Sequence, residues 1–282
     1  MWLINTDTRL LEEFYDDEIP KYAILSHTWQ EKGEVSFQQW QSGDYQELPG
    51  FTKIDRCCQI AKDMGYDYVW VDTCCIDKSS SAELQEAINS MFKWYEASEV
   101  CLVYFADVIA GEDHKLPESK FRKSRWFTRG WTLQELLAPM KLLLFDKDWI
   151  PFGQVGISWK VPEFRVPYFE RIISSITGIP DTTFGESHLD GGNSSIAQKM
   201  SWAANRTTKR SEDMAYCLLG IFDINMPLLY GEGGKRAFAR LQEEIIKMSD
   251  DESIFAWHFE SIPNCSVFLG FTQPGLWKRG FS

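Results

Sequence analysis

Val69-Trp-Val-Asp-Thr-Cys-Cys-Ile-Asp77 is the stretch whose reading decides the fold. From Tyr68 to Cys74 it is almost continuously apolar and does not alternate. An alternating strand has one wet face, whereas a run of this kind is buried on both faces, as in a parallel sheet covered by helices. It leads straight into an aspartate and two cysteines, so side chains capable of chemistry follow the strand. Similar runs lie on either side. Residues 21–28 (KYAILSHT) are β-rich and end near Ser26 and His27, while 100–105 (VCLVYF) and 141–145 (KLLLF) read as two more buried strands.

Helices fall between these strands. Residues 53–64 read as one. Residues 82–98 read as another, because Leu84, Ala87, Ile88, Met91, Phe92 and Tyr95 recur at helical spacing, with Ser80 or Ser81 as N-cap. A short third helix lies in Arg129-Gly-Trp-Thr-Leu-Gln-Glu-Leu-Leu-Ala-Pro139, opened by an aromatic and closed by a proline. Strand and helix in strict alternation require right-handed crossovers and a parallel sheet with helices on both faces. Ligands of such sheets bind beyond the carboxyl ends of the strands. Ser26, His27, Asp72 to Cys75 and Asp107 fall there, and the expectation is that Ser26, Asp72 and Glu135 converge at one rim.

After Pro151 the pattern changes. Residues 151–195 mix Gly, Pro, Ser and aromatics, and Gly185–Ser195 reads as an exposed loop. Helices return at 196–204, from a Ser211 cap to Gly220, and at 235–248. The division predicted is an α/β core over 1–150 and a mostly helical part over 151–282 packed on it. Gly231-Glu-Gly-Gly-Lys235 lacks the spacing of a phosphate-binding loop and reads as a turn before a helix.

Composition limits the function classes. The chain has 282 residues, 44% of them hydrophobic, a net charge of −12 and an isoelectric point near 4.9. An acidic field excludes nucleic acid as the expected partner. The seven cysteines include two adjacent pairs and no metal-ligand spacing, so neither zinc nor disulfides are expected. No signal segment and no run of membrane-spanning length is present in the sequence, which reads as a cytoplasmic protein.

The segments YAILSHTW (22–29), VWVDTCCIDK (69–78), RGWTLQELLAP (129–139) and Ser201–Ile245 resemble four ordered blocks of the fungal heterokaryon incompatibility (HET) domain. The likeness spans Tyr22 to Trp257. It implies a cytosolic trigger of programmed cell death after non-self recognition, possessing or receiving signals from an upstream sensor. A second resemblance lies within it. The order of elements is similar to that of TIR domains, which are flavodoxin-like, and Trp131-Thr-Leu-Gln-Glu-Leu136 resembles the Trp-Cys-Leu-Asp-Glu-Leu block of plant TIR domains, with Thr132 in place of the Cys. That resemblance implies NAD⁺ or NADP⁺ as substrate rather than cofactor, Glu135 as the catalytic residue of a NAD⁺ glycohydrolase, and self-association into homo-oligomers. Ser26, His27, Trp29, Asp72, Arg125, Arg129 and Trp131 are then the candidate substrate-binding residues. A dinucleotide would need a local pocket of Arg side chains in so acidic a chain.

Each candidate has a plainer alternative. Thr132-Leu-Gln-Glu135 is also the pattern of a capping box. His27 and Asp72 fit satisfied polar roles at strand ends, Trp29 and Trp131 fit core packing, and Arg125 and Arg129 fit surface salt bridges. Cys75, His27 and Asp72 are the residue types of a nucleophilic triad. A non-enzymatic adaptor acting by homotypic assembly is the alternative function.

Overall fold

The computed structural model describes residues 1–15, 18–109, 111–156, 168–185 and 194–255. Its centre is a seven-stranded sheet in the order β2-β1-β4-β3-β5-β6-β7. The strands are β1 (Trp2–Asn5), β2 (Leu11–Glu13), β3 (Ala23–His27), β4 (Tyr68–Trp70), β5 (Val100–Tyr104), β6 (Lys141–Phe145) and β7 (Pro151–Gly156). The four middle strands, β4-β3-β5-β6, run parallel. These are the four read from the sequence. Leu25, Val69, Trp70, Leu102 and Leu143 are all fully buried, as two-sided cover demands.

Helix α2 (Pro49–Asp63) links β3 to β4, α3 (Ser81–Ala97) links β4 to β5, and α4 (Thr132–Leu137) precedes β6. α1 (Phe37–Ser42) is a short extra turn held by a capping box of Ser36 and Gln39. Chain direction reverses between β4, which lies on one side of β3, and β5, which lies on the other. Right-handed crossovers therefore place α2 on one face and α3 with α4 on the opposite one, where α3 and α4 touch. The point of reversal opens a crevice at the carboxyl ends of β3, β4 and β5.

The sheet is wider than the sequence pattern indicated, and its outer pairs are antiparallel. β1 and β2 form a hairpin whose turn is held by Asn5, its side-chain oxygen accepting from the amides of Asp7 (3.0 Å) and Thr8 (3.1 Å). β7 follows a turn in which Asp146 Oδ1 accepts from the amides of Asp148 and Ile150, both at 2.9 Å. Pro151 begins that strand, where a missing N–H is tolerated. The sheet thus continues past residue 150, the limit read for the α/β core.

The described residues beyond β7 are mainly helical: α5 (Glu170–Thr177), α6 (Ile196–Ala203), α7 (Asp213–Tyr216) and α8 (Gly234–Met248). The expected loop at 185–195 lies largely outside the described residues. The helix expected from Ser211 to Gly220 is only the single turn of α7 followed by a 3-10 turn over Gly220–Phe222. Ser211 does not cap it. Its hydroxyl accepts from the Gly234 amide (3.0 Å), and Glu212 Oε1 accepts from the amides of Gly231 (3.0 Å) and Gly233 (3.1 Å). The glycine-rich turn is therefore wrapped around a carboxylate of the preceding segment, which starts α8. This part docks on α3, where Asn89 exchanges hydrogen bonds with the Met226 backbone. No described helix is long and apolar enough to cross a membrane.

Candidate active site

Ser26 and His27 are the last residues of β3, Asp72 follows β4, and Glu135 lies in the first turn of α4. A helix that follows a parallel strand starts at that strand's carboxyl rim, so the topology alone brings these groups to one end of the sheet. The side chains meet there. The Trp126 indole N–H donates to Ser26 Oγ (2.8 Å), and the Ser26 hydroxyl donates to Glu135 Oε2 (2.5 Å). Ser26 has a single proton, and the indole occupies its acceptor side, so this chain fixes which carboxyl oxygen Glu135 offers inward.

Glu135 is 5% exposed. Burial, then the charge of Asp72, pushes its pKa up to about 8, against the opposing effects of the Ser26 hydrogen bond and the Arg206 charge. At neutral pH the free site holds it as the neutral acid, and a cation arriving beside it would draw the proton off. Carboxyls tuned towards neutrality are the kind that exchange protons or answer to developing charge.

The capping-box alternative is not what the fold uses. The residue before α4 is Trp131, and no side-chain cap is made there. The Thr132 hydroxyl instead engages the carbonyls of Trp126 and Arg129 (2.9 Å to the latter) and accepts from Arg206 Nη1 at 2.9 Å. The Glu135 carboxyl is spent on Ser26 and the cleft.

His27 is tied at both ring nitrogens, with Nδ1 2.8 Å from the Lys53 ammonium and Nε2 3.0 Å from Asp72 Oδ1. Lys53 is a donor only, so Nδ1 accepts and Nε2–H donates to Asp72. Glu34 in turn holds Lys53 with both oxygens at 2.8 Å. Asp72 Oδ2 accepts from the Trp29 indole at 2.6 Å. Burial works to raise the Asp72 pKa, yet His27, Lys78 and Trp29 together hold it below the ordinary carboxyl value. This network positions Trp29 and an ionised Asp72. It also disposes of the nucleophilic triad, since the Cys75 thiol is buried against the Val71 amide at 3.3 Å.

A cleft of about 260 Å³ opens above these groups, near the ~300 Å³ lower end of small-molecule pockets. His27, Trp29, Asp72, Arg129, Trp131 and Glu135 line it. Ser26 stands behind Glu135. Arg125 does not reach it: that exposed residue sits on the 3-10 turn Arg125–Thr128, and its amide donates to Asp107 Oδ2 (2.8 Å). Asp107 also accepts from the Ser124 hydroxyl (2.6 Å) and so caps that turn rather than facing a ligand.

Sequence reasoning missed the far wall. Lys209, Arg210, Asp213 and Tyr230, all from beyond residue 150, complete the cleft. Asp213 accepts from the Trp131 indole (3.3 Å) and the Tyr230 hydroxyl (2.9 Å). The segment that carries them is zipped to the start of α4: the Thr207 amide donates to the Thr128 carbonyl (2.7 Å) and the Gly130 amide to the Thr207 carbonyl (3.0 Å). Gly130 is required for this approach, because a Cβ there would lie 2.5 Å from Thr208 Cγ2 and 3.1 Å from Cys217 Sγ.

Arg206 is the bolt of this joint. It is 4% exposed, and its Nη1 donates to the Arg129 carbonyl and Thr132 Oγ1, both at 2.9 Å. Burial draws its pKa down to about 10. Replacing Arg206 by Ala is expected to cost roughly 1.5–3 kcal/mol, the range for losing hydrogen bonds to a charged group. Urea unfolding of the variant measures it, and a loss below about 0.5 kcal/mol, the scatter of ordinary surface substitutions, would show that the joint holds without it.

Cys57, Cys58, Cys74, Cys75, Cys101 and Cys217 are free and buried, and burial pushes the Cys58 and Cys217 thiols up to about 12. Cys265 lies outside the described residues. Among the described residues no cluster of His, Cys, Asp and Glu is arranged to hold a metal.

Residues 22–118 match the family "Heterokaryon incompatibility protein (HET)", which covers Ser26, His27, Trp29, Asp72 and Lys78 and stops short of Glu135. Residues 236–269 match "Domain of unknown function (DUF8212)". The chain is 42% identical over 246 residues to the "Vegetative incompatibility protein HET-E-1" of Podospora anserina, which takes in 86% of this chain and 17% of that relative. It thus spans about a sixth of that protein's length. No solved structure matches the chain. The blocks that meet at the cleft are the ones by which the sequence resembles fungal incompatibility proteins, and the chain belongs to the heterokaryon incompatibility (HET) domain family.

Proposed function

We propose that the chain is a cell-death effector of the heterokaryon-incompatibility type that cleaves NAD⁺ to nicotinamide and ADP-ribose. The observation that carries this reading is the buried Glu135, held by Ser26 and facing a cleft at the carboxyl rim of a parallel sheet. The parallel strands follow the order β4-β3-β5-β6, second-first-third-fourth along the chain. The flavodoxin-like order begins in the same sequence, which supports the TIR-like reading. The incompatibility protein to which the chain is similar supports the cell-death role.

The chemistry fits the site. The bond between ribose C1′ and the nicotinamide nitrogen breaks, and its electron pair neutralises the pyridinium ring. Nicotinamide leaves without needing a general acid. Positive charge builds on the ribose, and an ionised Glu135 beside C1′ stabilises it, as glycosidase carboxylates do. Water then adds to C1′ and loses its proton to Glu135 or to solvent. Trp29 and Trp131 offer flat surfaces for the ring.

Incubating the concentrated protein with NAD⁺ and assaying free nicotinamide tests the reading. No nicotinamide at any concentration would favour the adaptor alternative. The TIR-like reading implies a site completed between protomers, so the rate is expected to rise faster than linearly with protein concentration. Strict proportionality in dilute solution would instead mark a self-sufficient monomer.

A further inference from the structure

The cleft carries a charge opposite to that of the chain. Against a net charge of −12, four cations line it: Lys78 and Arg129 on the core side, Lys209 and Arg210 on the other. Among the described residues none of the four forms an ion pair. Arg210 lies over the Tyr230 ring at 4.2 Å and Lys78 over the Trp29 ring at 4.7 Å, and the Lys78 ammonium also donates to the Asp72 and Thr73 carbonyls, contacts that leave both cations without a carboxylate partner. The charges of Asp72 and Asp213 act on Lys78 and Arg210 without a direct ion pair. Asp72 is engaged by His27 and Trp29, and Asp213 by Trp131 and Tyr230. Glu135 is held largely neutral by burial. Cations gathered in a cleft with low-dielectric walls focus a positive field into it.

The cleft is also lined by apolar side chains, Ile76 and, from α3, Leu84, Ile88 and Met91. A ligand matched to this lining has a flat or apolar part and a phosphate-bearing part. We propose that Lys209 and Arg210, together with Lys78 and Arg129, bind the phosphates of a nucleotide ligand. The segment after Arg206 is then the specificity element of the site and not a packing accessory. The backbone pairing of Thr207 with Thr128 and Gly130 fixes this segment beside the Glu135 helix, so a phosphate held there sets the distance from Glu135 to the rest of the ligand. This inference rests on the proposed site for its ligand class, but not on the bond-breaking step.

Lys209→Ala with Arg210→Ala tests it. Both residues are exposed, so the fold is expected to persist. Three measurements are compared with the unaltered chain: binding of ADP-ribose by calorimetry, nicotinamide release from NAD⁺, and nicotinamide release from nicotinamide riboside, which has no phosphate. The expected result is ADP-ribose binding and KM for NAD⁺ both weakened about tenfold or more, as for lost charge-assisted contacts, with nicotinamide riboside unaffected. The inference is overturned if ADP-ribose affinity changes less than about twofold, a difference far smaller than one charge-assisted contact, or if NAD⁺ and nicotinamide riboside suffer alike. A chain that cleaves no NAD⁺ but binds ADP-ribose through these two residues would end the hydrolase reading and uphold this one. A double variant that cleaves NAD⁺ with unchanged KM would do the reverse.

Discussion

Glu135→Gln is expected to abolish nicotinamide release, by about 10²–10³-fold, the range for removing one preorganised electrostatic group from a transition state. The amide oxygen of Gln still accepts the Ser26 hydroxyl, so the chain from Trp126 through Ser26 survives and the fold with it. The charge does not survive. In the unaltered protein the carboxyl must ionise to act, and in the free site its pKa stands at about 8. The rate constant kcat/KM, which reports the free enzyme, is therefore expected to rise with pH, with its midpoint near pH 8, and to level off only above it. The cationic nicotinamide ring favours the ionised form, so the corresponding rise in kcat should lie at lower pH. A Glu135→Gln protein that releases nicotinamide at the unaltered rate, or a pH profile flat from 6 to 9, would remove Glu135 from the mechanism.

The same carboxyl should make the fold sensitive to alkali, with a sign opposite to that of an ordinary salt-bridged acid. Its pKa is raised from 4.5 to about 8 on folding. Between those values the folded state holds a proton that the unfolded chain has released, so stability falls as pH rises through this window. At ~1.4 kcal/mol per pH unit the loss amounts to as much as about 5 kcal/mol above pH 8. Below pH 4.5 no loss remains. Glu135→Gln lacks this titration. Urea unfolding at pH 5 and pH 9 should show the two proteins alike at the lower pH and the variant the more stable at the higher. The difference cancels the general repulsion of an acidic chain, which both proteins share. Parallel stability curves would mean that Glu135 is ionised at neutral pH and that Ser26 and Arg206 outweigh its burial.

The readable part of this fold is the part in which local pattern and burial agree. Tyr68–Val71 and Leu142–Phe145 are apolar throughout because helices cover both faces of the central strands, so their runs name the strands without help from neighbours. The outer strands give no such signal. Trp2–Asn5 and Leu11–Glu13 are short, and Pro151–Gly156 carries Pro and two Gly. They are strands because the edges of an existing sheet offer them hydrogen-bond partners. The Ser211 cap failed for a related reason. Serine spacing identifies an N-cap only if its hydroxyl stays with its own helix, and here the hydroxyl serves Gly234, 23 residues on.

The candidate site divides in the same way. The sequence by itself determined that polar groups would follow the parallel strands, because alternation of strand and helix forces them to one rim, and thus placed Ser26, His27, Asp72 and Glu135 together. It left Thr132 and Glu135 equally readable as a capping box. Only the tertiary structure decided between the readings, by giving the Thr132 hydroxyl to backbone carbonyls and Arg206, and the carboxyl to Ser26. Only the tertiary structure brought Lys209, Arg210, Asp213 and Tyr230 to the far wall of the cleft. Contacts between residues some 75 apart in the chain leave no periodicity to read, because they arise from how a helical segment docks on a finished sheet and not from the repeat of a local element.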